Sequence, residues 1–75
     1  MSTAMVTYSN PTADAVRAEL ARRSLTYRDA ARAAGVHYVT FCYKARGQRP
    51  FTEPELRKLA QWLGVPVATL VPEAA

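Results

Sequence analysis

The chain has 75 residues, with ten Lys or Arg against six Asp or Glu and a net charge of +4 at pH 7. This length accommodates one domain with one hydrophobic core, which excludes a two-domain enzyme. Because Cys42 and His37 are the only Cys and His, the sequence contains neither an internal disulfide nor a set of zinc ligands, and we expect no metal or other cofactor. No internal uncharged run approaches the roughly 20 apolar residues that span a bilayer, and no basic segment precedes an apolar one at the N-terminus, so we expect a soluble intracellular protein.

The basic charge is concentrated in the middle of the chain. Residues 17–49 contain eight basic and two acidic side chains, a net charge of +6, whereas the remainder has a net charge of −2. Such a distribution is typical of a polyanion-binding domain, but it also fits an Arg-rich helix face that is merely solvated. Charge alone leaves both interpretations open.

Two helices are predicted in the first half of the chain. Asn10 can cap a helix in which Pro11 takes the first position, and the apolar spacing carries it to about Arg23. Thr26 is followed three residues later by an acidic residue, Asp29, which is the spacing of a capping box and starts a second helix. Gly35 tolerates the left-handed conformation that ends a helix before a tight turn.

Three further helices are predicted in the second half. One runs from about residue 38 to residue 46. Thr52 and Glu55 repeat the capping-box spacing and start the next, which has a regular apolar stripe and ends at Gly64. A short last helix covers 67–71.

No strand-like alternation appears, so the predicted class is all-α. We divide the chain into a flexible N-terminal arm (1–9), one helical domain (10–72) and a C-terminal tail (73–75).

The third helix is predicted to have one side that faces the core and an opposite side that is exposed. At 100° per residue, Phe41 and Ala45 face the core. The side chains that project from the opposite side are Val39, Thr40, Tyr43 and Arg46. In a DNA major groove the methyl groups of Val39 and Thr40 can contact thymine methyls, Tyr43 can donate a hydrogen bond, and Arg46 can reach a guanine or a phosphate. These four are therefore candidate base-reading residues.

Candidate phosphate-binding residues flank this helix. The second helix opens with Tyr27 and Arg28, where free backbone amides and the positive end of the helix dipole favour an anion. The loop at Gln48 and Arg49 can hold a second phosphate, and Lys44 adds positive charge.

Four segments, by their order and spacing, resemble the Cro and phage-repressor type of helix-turn-helix domain, the XRE family. They are 25–31, 34–36 with 40–41, 46–50, and Leu56 with 59–60 and 63–65. The resemblance implies a compact five-helix, lambda-repressor-like DNA-binding domain with a helix-turn-helix. It further implies a protein that is usually dimeric and that represses or activates transcription at paired half-sites.

The resemblance also assigns roles by position. Base reading falls on His37, Tyr38, Val39 and Tyr43, and phosphate binding falls on Tyr27, Gln48 and Arg49. Lys44 stands where the family often has Leu or Tyr, so we expect its stem to lie along apolar surface with its ammonium group in solvent.

A dimer interface is predicted near the C-terminus. Trp62 falls outside the Leu stripe of the fourth helix, and it either covers the margin of the core or joins Val67, Leu70 and Val71 in a twofold apolar patch. We favour the patch, because a small DNA-binding protein needs two copies to bind two half-sites.

The sequence thus predicts a sequence-specific double-stranded-DNA-binding transcriptional regulator, a small phage Cro- or repressor-like protein that occupies an operator in the bacterial cytoplasm or nucleoid. An enzyme is not expected, since neither His37 nor Cys42 has a catalytic partner at a useful spacing. The alternatives are an excision or directionality factor, an antitoxin, or a protein-interaction module that has lost DNA binding.

Overall fold

The structure, a computed structural model, describes residues 10–72. This part of the chain contains five α-helices. They are α1 (Pro11–Arg22), α2 (Tyr27–Ala34), α3 (Tyr38–Ala45), α4 (Glu53–Leu63) and α5 (Val67–Leu70). Residues 10–72 contain no β-strand, and the predicted all-α class is confirmed. The predicted arm (1–9) and tail (73–75) lie outside the described residues.

The predicted starts of α1, α2 and α4 are confirmed. The side-chain oxygens of Asn10, Thr26 and Thr52 each accept a hydrogen bond from the backbone amide three residues later. At α4 the Glu55 carboxylate also accepts from the Thr52 amide at 2.9 Å, which completes the capping box. These bonds satisfy amides that have no partner inside the helix, so each start is determined by a few neighbouring residues.

Helices α1 to α4 end in the same way. Each is followed by a residue with positive φ, and the amide after that residue bonds to the carbonyl five residues earlier. The residues with positive φ are Ser24, Gly35, Gly47 and Gly64. After α1, α2 and α4 the next residue is apolar and packs against the core, as Leu25, Val36 and Val65. After α3 the corresponding residue is Gln48, which is exposed, so the loop that follows α3 turns towards solvent.

All five helices contribute to one core. Helix α2 packs on α3 and α4, α5 packs on α4, and α1 closes the fold against α3 and α5. The largest fully buried side chains are Phe41, Leu20, Leu59, Leu70 and Val16. Phe41 receives the rings of Tyr27 and Phe51 edge-on, each at 5.6 Å between centroids. The side of α3 opposite Phe41 is therefore left for solvent or a ligand.

Candidate nucleic-acid interface

Helix α3 has two chemically different sides. Phe41 and Ala45 are fully buried, as predicted, whereas Val39 is 62% exposed and Tyr38 and Tyr43 are each 40% exposed. Most large apolar side chains of the described residues are buried or partly buried, so the exposure of three on one short helix is a feature of this face. We call it the α3 face and define it by Tyr38, Val39, Thr40, Tyr43 and Arg46.

Two arginines from outside α3 lie over the tyrosine rings of the α3 face. The Cζ atom of Arg28, on α2, is 4.3 Å from the centroid of the Tyr38 ring. The Cζ atom of Arg49, in the loop after α3, is 5.4 Å from the centroid of the Tyr43 ring. Both distances fall within the range of cation–π contacts. Sequence reasoning missed these two pairs, because neither pair shares a helix.

Phe51 fixes the loop that carries Arg49. Its ring packs edge-on against Phe41 at 5.6 Å, so the chain two residues after Arg49 is attached to the core. No core contact was predicted for Phe51. The available signal was an aromatic residue directly after a proline, Pro50, in an otherwise polar segment.

Every carboxylate within residues 10–72 is engaged in an ion pair. The pairs are Asp14–Arg17, Glu19 with Arg22 and Arg23, Asp29–Arg32, Glu53–Arg57 and Glu55–Lys44. Asp29 thus lies towards Arg32 on its own helix, rather than returning to the Thr26 amide as the capping-box spacing predicted.

Four basic side chains have no carboxylate partner among the described residues. They are Arg28, Arg46, Arg49 and Lys58. Arg28 and Arg49 contact the α3 face, and Arg46 belongs to it as the C-cap of α3. Lys58 lies elsewhere, on α4 near Gly35 at the end of α2. The positive charge that the described residues leave unpaired is therefore gathered mainly at the α3 face.

The assignment of Lys44 to phosphate binding is wrong for this geometry. Lys44 is only 8% exposed, and its ammonium group donates to both carboxylate oxygens of Glu55, at 2.6 and 2.7 Å. The side chain is buried, and its charged end contacts Glu55 on α4 instead of solvent. If Lys44 moved to contact a phosphate, the largely buried Glu55 carboxylate would lose its ion-pair partner, which would destabilise the fold.

Two carboxyl groups have shifted pKa values. Burial raises the pKa of Glu55, but hydrogen bonds from Lys44 and from the Thr52 amide outweigh it, and the net pKa is below its ordinary value. The pKa of Glu19 is also lowered, chiefly by the hydrogen bond from Arg23, with Arg22 adding to it. Glu19 therefore neutralises part of the positive charge of Arg22 and Arg23.

Arg17 holds the C-terminal end of α3. Its guanidinium donates to the Ala45 carbonyl on α3 and to the Asp14 carboxylate on α1. The last carbonyls of a helix lack partners within it, so this contact stabilises α3 at the end next to Arg46. Nothing local in the sequence indicated it, because Arg17 and Ala45 are far apart along the chain.

The remaining predicted contact residues lie on the α3 face or beside it. His37 is the exposed N-cap of α3, and its side chain makes no capping hydrogen bond. Thr40 is half-buried, and Gln48 is exposed beside Arg49. Tyr27 is half-buried, and its ring packs against Phe41. The ring of Tyr27 is therefore part of the core packing.

The predicted dimer patch is not a single surface. Leu70 is fully buried inside the monomer and has no area to offer a second copy, so its assignment to the interface is wrong. Trp62 lines shallow depressions together with Ala33 of α2. Val67 and Val71 instead line an apolar groove of about 480 Å³ between α4 and α5, together with Phe51, Glu53, Leu56 and Ala68. Trp62 and the two valines therefore face different neighbours.

Within residues 10–72, His, Cys, Asp and Glu side chains form no group of three that could hold a metal ion. None of the five described helices has the length and apolar character needed to cross a membrane. No protein-family model, curated protein or solved structure matches the chain.

Proposed function

We propose that this chain is a sequence-specific, double-stranded-DNA-binding transcriptional regulator whose α3 enters the major groove. The observation that carries the proposal is the composition of the α3 face. It combines exposed apolar and aromatic side chains with unpaired guanidinium groups and contains no carboxylate. A solvated helix face has no need to expose Val39, whereas a groove lined by base edges and phosphates suits every side chain present.

The arrangement of α2 and α3 supports this proposal. They are eight-residue helices that pack on each other across the three-residue turn at 35–37. We interpret them as a helix-turn-helix, in which the second helix is the reading helix and the first lies across the DNA backbone. The start of α2 then brings Arg28 near one phosphate strand, and the loop after α3 brings Arg49 near another.

The anchoring of α3 makes it a suitable reading helix. Phe41 fixes its buried side, Lys44 is tied to α4, and Arg17 caps its last turn. A base-reading side chain must be held to within a fraction of an ångström, and contacts on three sides reduce the freedom that binding would otherwise remove.

We further propose that two copies bind paired half-sites. The surface that we assign to this contact is the apolar groove lined by Val67 and Val71, because Leu70 is buried and Trp62 lines separate depressions beside α2. Symmetric pairing through one patch is the commonest form of small homodimer, and it matches a palindromic operator.

Salt-dependent DNA binding tests the proposal. Removing one interaction between a basic side chain and a phosphate should lower the slope of log K against log salt concentration by about 0.9. Arg49→Ala should therefore weaken binding to every duplex and reduce the slope. The matched control is Arg57→Ala, which removes an exposed arginine that is paired with Glu53 and does not belong to the α3 face, and it should leave the slope unchanged.

Selection of bound duplexes from a random pool completes the test. An enriched sequence with twofold symmetry is expected if α3 reads bases in a dimer. No affinity for duplex DNA at low salt, or an affinity that ignores salt, would contradict DNA binding and leave a protein-interaction role for the α3 face.

A further inference from the structure

The two tyrosines of the α3 face have the same kind of neighbour. Tyr38 lies under the guanidinium of Arg28 at 4.3 Å, and Tyr43 lies under that of Arg49 at 5.4 Å. One pair is at the first residue of α3, and the other is in its last turn. Val39, the most exposed large apolar side chain of the described residues, lies between them in the sequence of the helix.

A guanidinium that contacts a ring and no hydrogen-bond acceptor keeps the N–H groups at its edge free. Those edge groups are the ones that bond to phosphate oxygens. Neither Arg28 nor Arg49 has a carboxylate partner among residues 10–72 that would occupy them. An arginine that already lies against a ring has also lost part of the side-chain freedom that binding would remove.

We propose that Tyr38 and Tyr43 are positioning residues, which hold Arg28 and Arg49 for phosphate contact on either side of α3. Base reading then falls to Val39, Thr40 and Arg46. This inference rests on the proposed DNA binding and changes the role of the two tyrosines, which the family resemblance assigned to base reading. The reason for this role is that each tyrosine contacts its arginine through the ring and not through the hydroxyl.

Comparing two substitutions at Tyr43 separates the ring from the hydroxyl. The probes are the duplex enriched from the random pool and a random-sequence duplex of the same length, each titrated over a range of KCl concentrations. Tyr43→Phe keeps the ring and should bind both duplexes as tightly as the unmodified chain. Tyr43→Leu removes the ring and should weaken both by the same factor, about two- to fivefold, the magnitude of an exposed cation–π contact.

A double-mutant cycle then links Tyr43 to its arginine. In an Arg49→Ala background, Tyr43→Leu should cause no further loss, because the group that it positions is absent. Arg49→Lys provides a second route, since lysine keeps the charge but not the planar group. It should reproduce the loss of Tyr43→Leu without touching the helix. The same set at Tyr38 and Arg28 should behave in parallel.

Three results would overturn the inference. One is a loss in Tyr43→Phe equal to that in Tyr43→Leu, which would make the hydroxyl the active group. Another is a loss confined to the enriched duplex, which would make Tyr43 a base reader. The third is full additivity with Arg49→Ala. All three leave DNA binding itself standing, whereas an unmodified chain with no affinity for either duplex at low salt removes both the proposed function and this inference.

Discussion

Lys44 on α3 donates hydrogen bonds to both carboxylate oxygens of Glu55 on α4, at 2.6 and 2.7 Å, and Glu55 also closes the capping box at the start of α4. The side chains of this pair are only 10% and 15% exposed. The Glu55 carboxylate therefore connects α3 to α4 and also caps the first turn of α4. Protonation of Glu55 should weaken both the contact between the helices and the cap.

Glu55→Gln should destabilise the fold and flatten its dependence on acid pH. The pKa of Glu55 is lower in the folded chain than its ordinary value of 4.5. Its contribution is therefore complete above the unfolded pKa and is lost as pH falls through the folded pKa. We expect a loss of about 1.5 to 3 kcal/mol at neutral pH, measured by urea denaturation, and a smaller further loss than the unmodified chain shows below about pH 4.5.

Glu53→Gln is the matched control for that experiment. Its pair with Arg57 is exposed on the same helix, so its removal should cost no more than about 0.5 kcal/mol. Equal losses of unfolding free energy from the two substitutions would show that the Lys44–Glu55 pair stabilises the fold no more than an exposed pair does.

Ser24→Gly should stabilise the protein. Ser24 is the one described residue other than glycine with a positive φ, 56°. This conformation costs a residue with a side chain about 1 kcal/mol, which glycine avoids. We expect an increase in Tm of a few degrees by thermal unfolding. Gly35→Ala, at φ 77°, is the reverse case and should lower Tm; a fall in both variants would contradict the strain argument.

Val39 should read a methyl group. If it contacts a thymine methyl, replacing that thymine by uracil removes one methyl and should weaken binding about fourfold, the equivalent of ~0.8 kcal/mol. Val39→Ala should lose a similar amount on the thymine duplex. In that variant the change to uracil should then cost little, which a competition titration with the enriched duplex measures. Independent, additive losses would place the thymine contact on another residue.

The α4–α5 groove should control assembly. Val67→Asp places a charge at its apolar rim and should prevent dimer formation on DNA, measured as the mass of the complex in solution. Trp62→Ala is the control, since Trp62 lies beside α2, and it should leave the mass unchanged. The opposite pattern would move the interface to the Trp62 side.

The helix limits were predictable because the signals that set them are local. Thr52 and Glu55 are three residues apart and satisfy each other's backbone amides, so their meaning survives any tertiary arrangement. Gly35 ends α2 for an equally local reason. The two sides of α3 were also predictable, because helical geometry alone separates Phe41 from Val39.

The pairings at the candidate site were not predictable. Lys44 had the composition and position of a phosphate-binding residue, and only the placement of α4 decided that its charge would be used by Glu55. The burial of Leu70 follows likewise from where α5 docks.

The sequence by itself determined the number of helices, where each begins and ends to within about one residue, and which side of α3 is buried. These properties depend on interactions within about one turn of helix, and such interactions are the same in any fold. Only the tertiary structure decided that Arg28 lies over Tyr38, that Arg49 lies over Tyr43, and that Lys44 pairs with Glu55. Contacts of this kind depend on the relative placement of whole elements, which is set by how their apolar faces pack together.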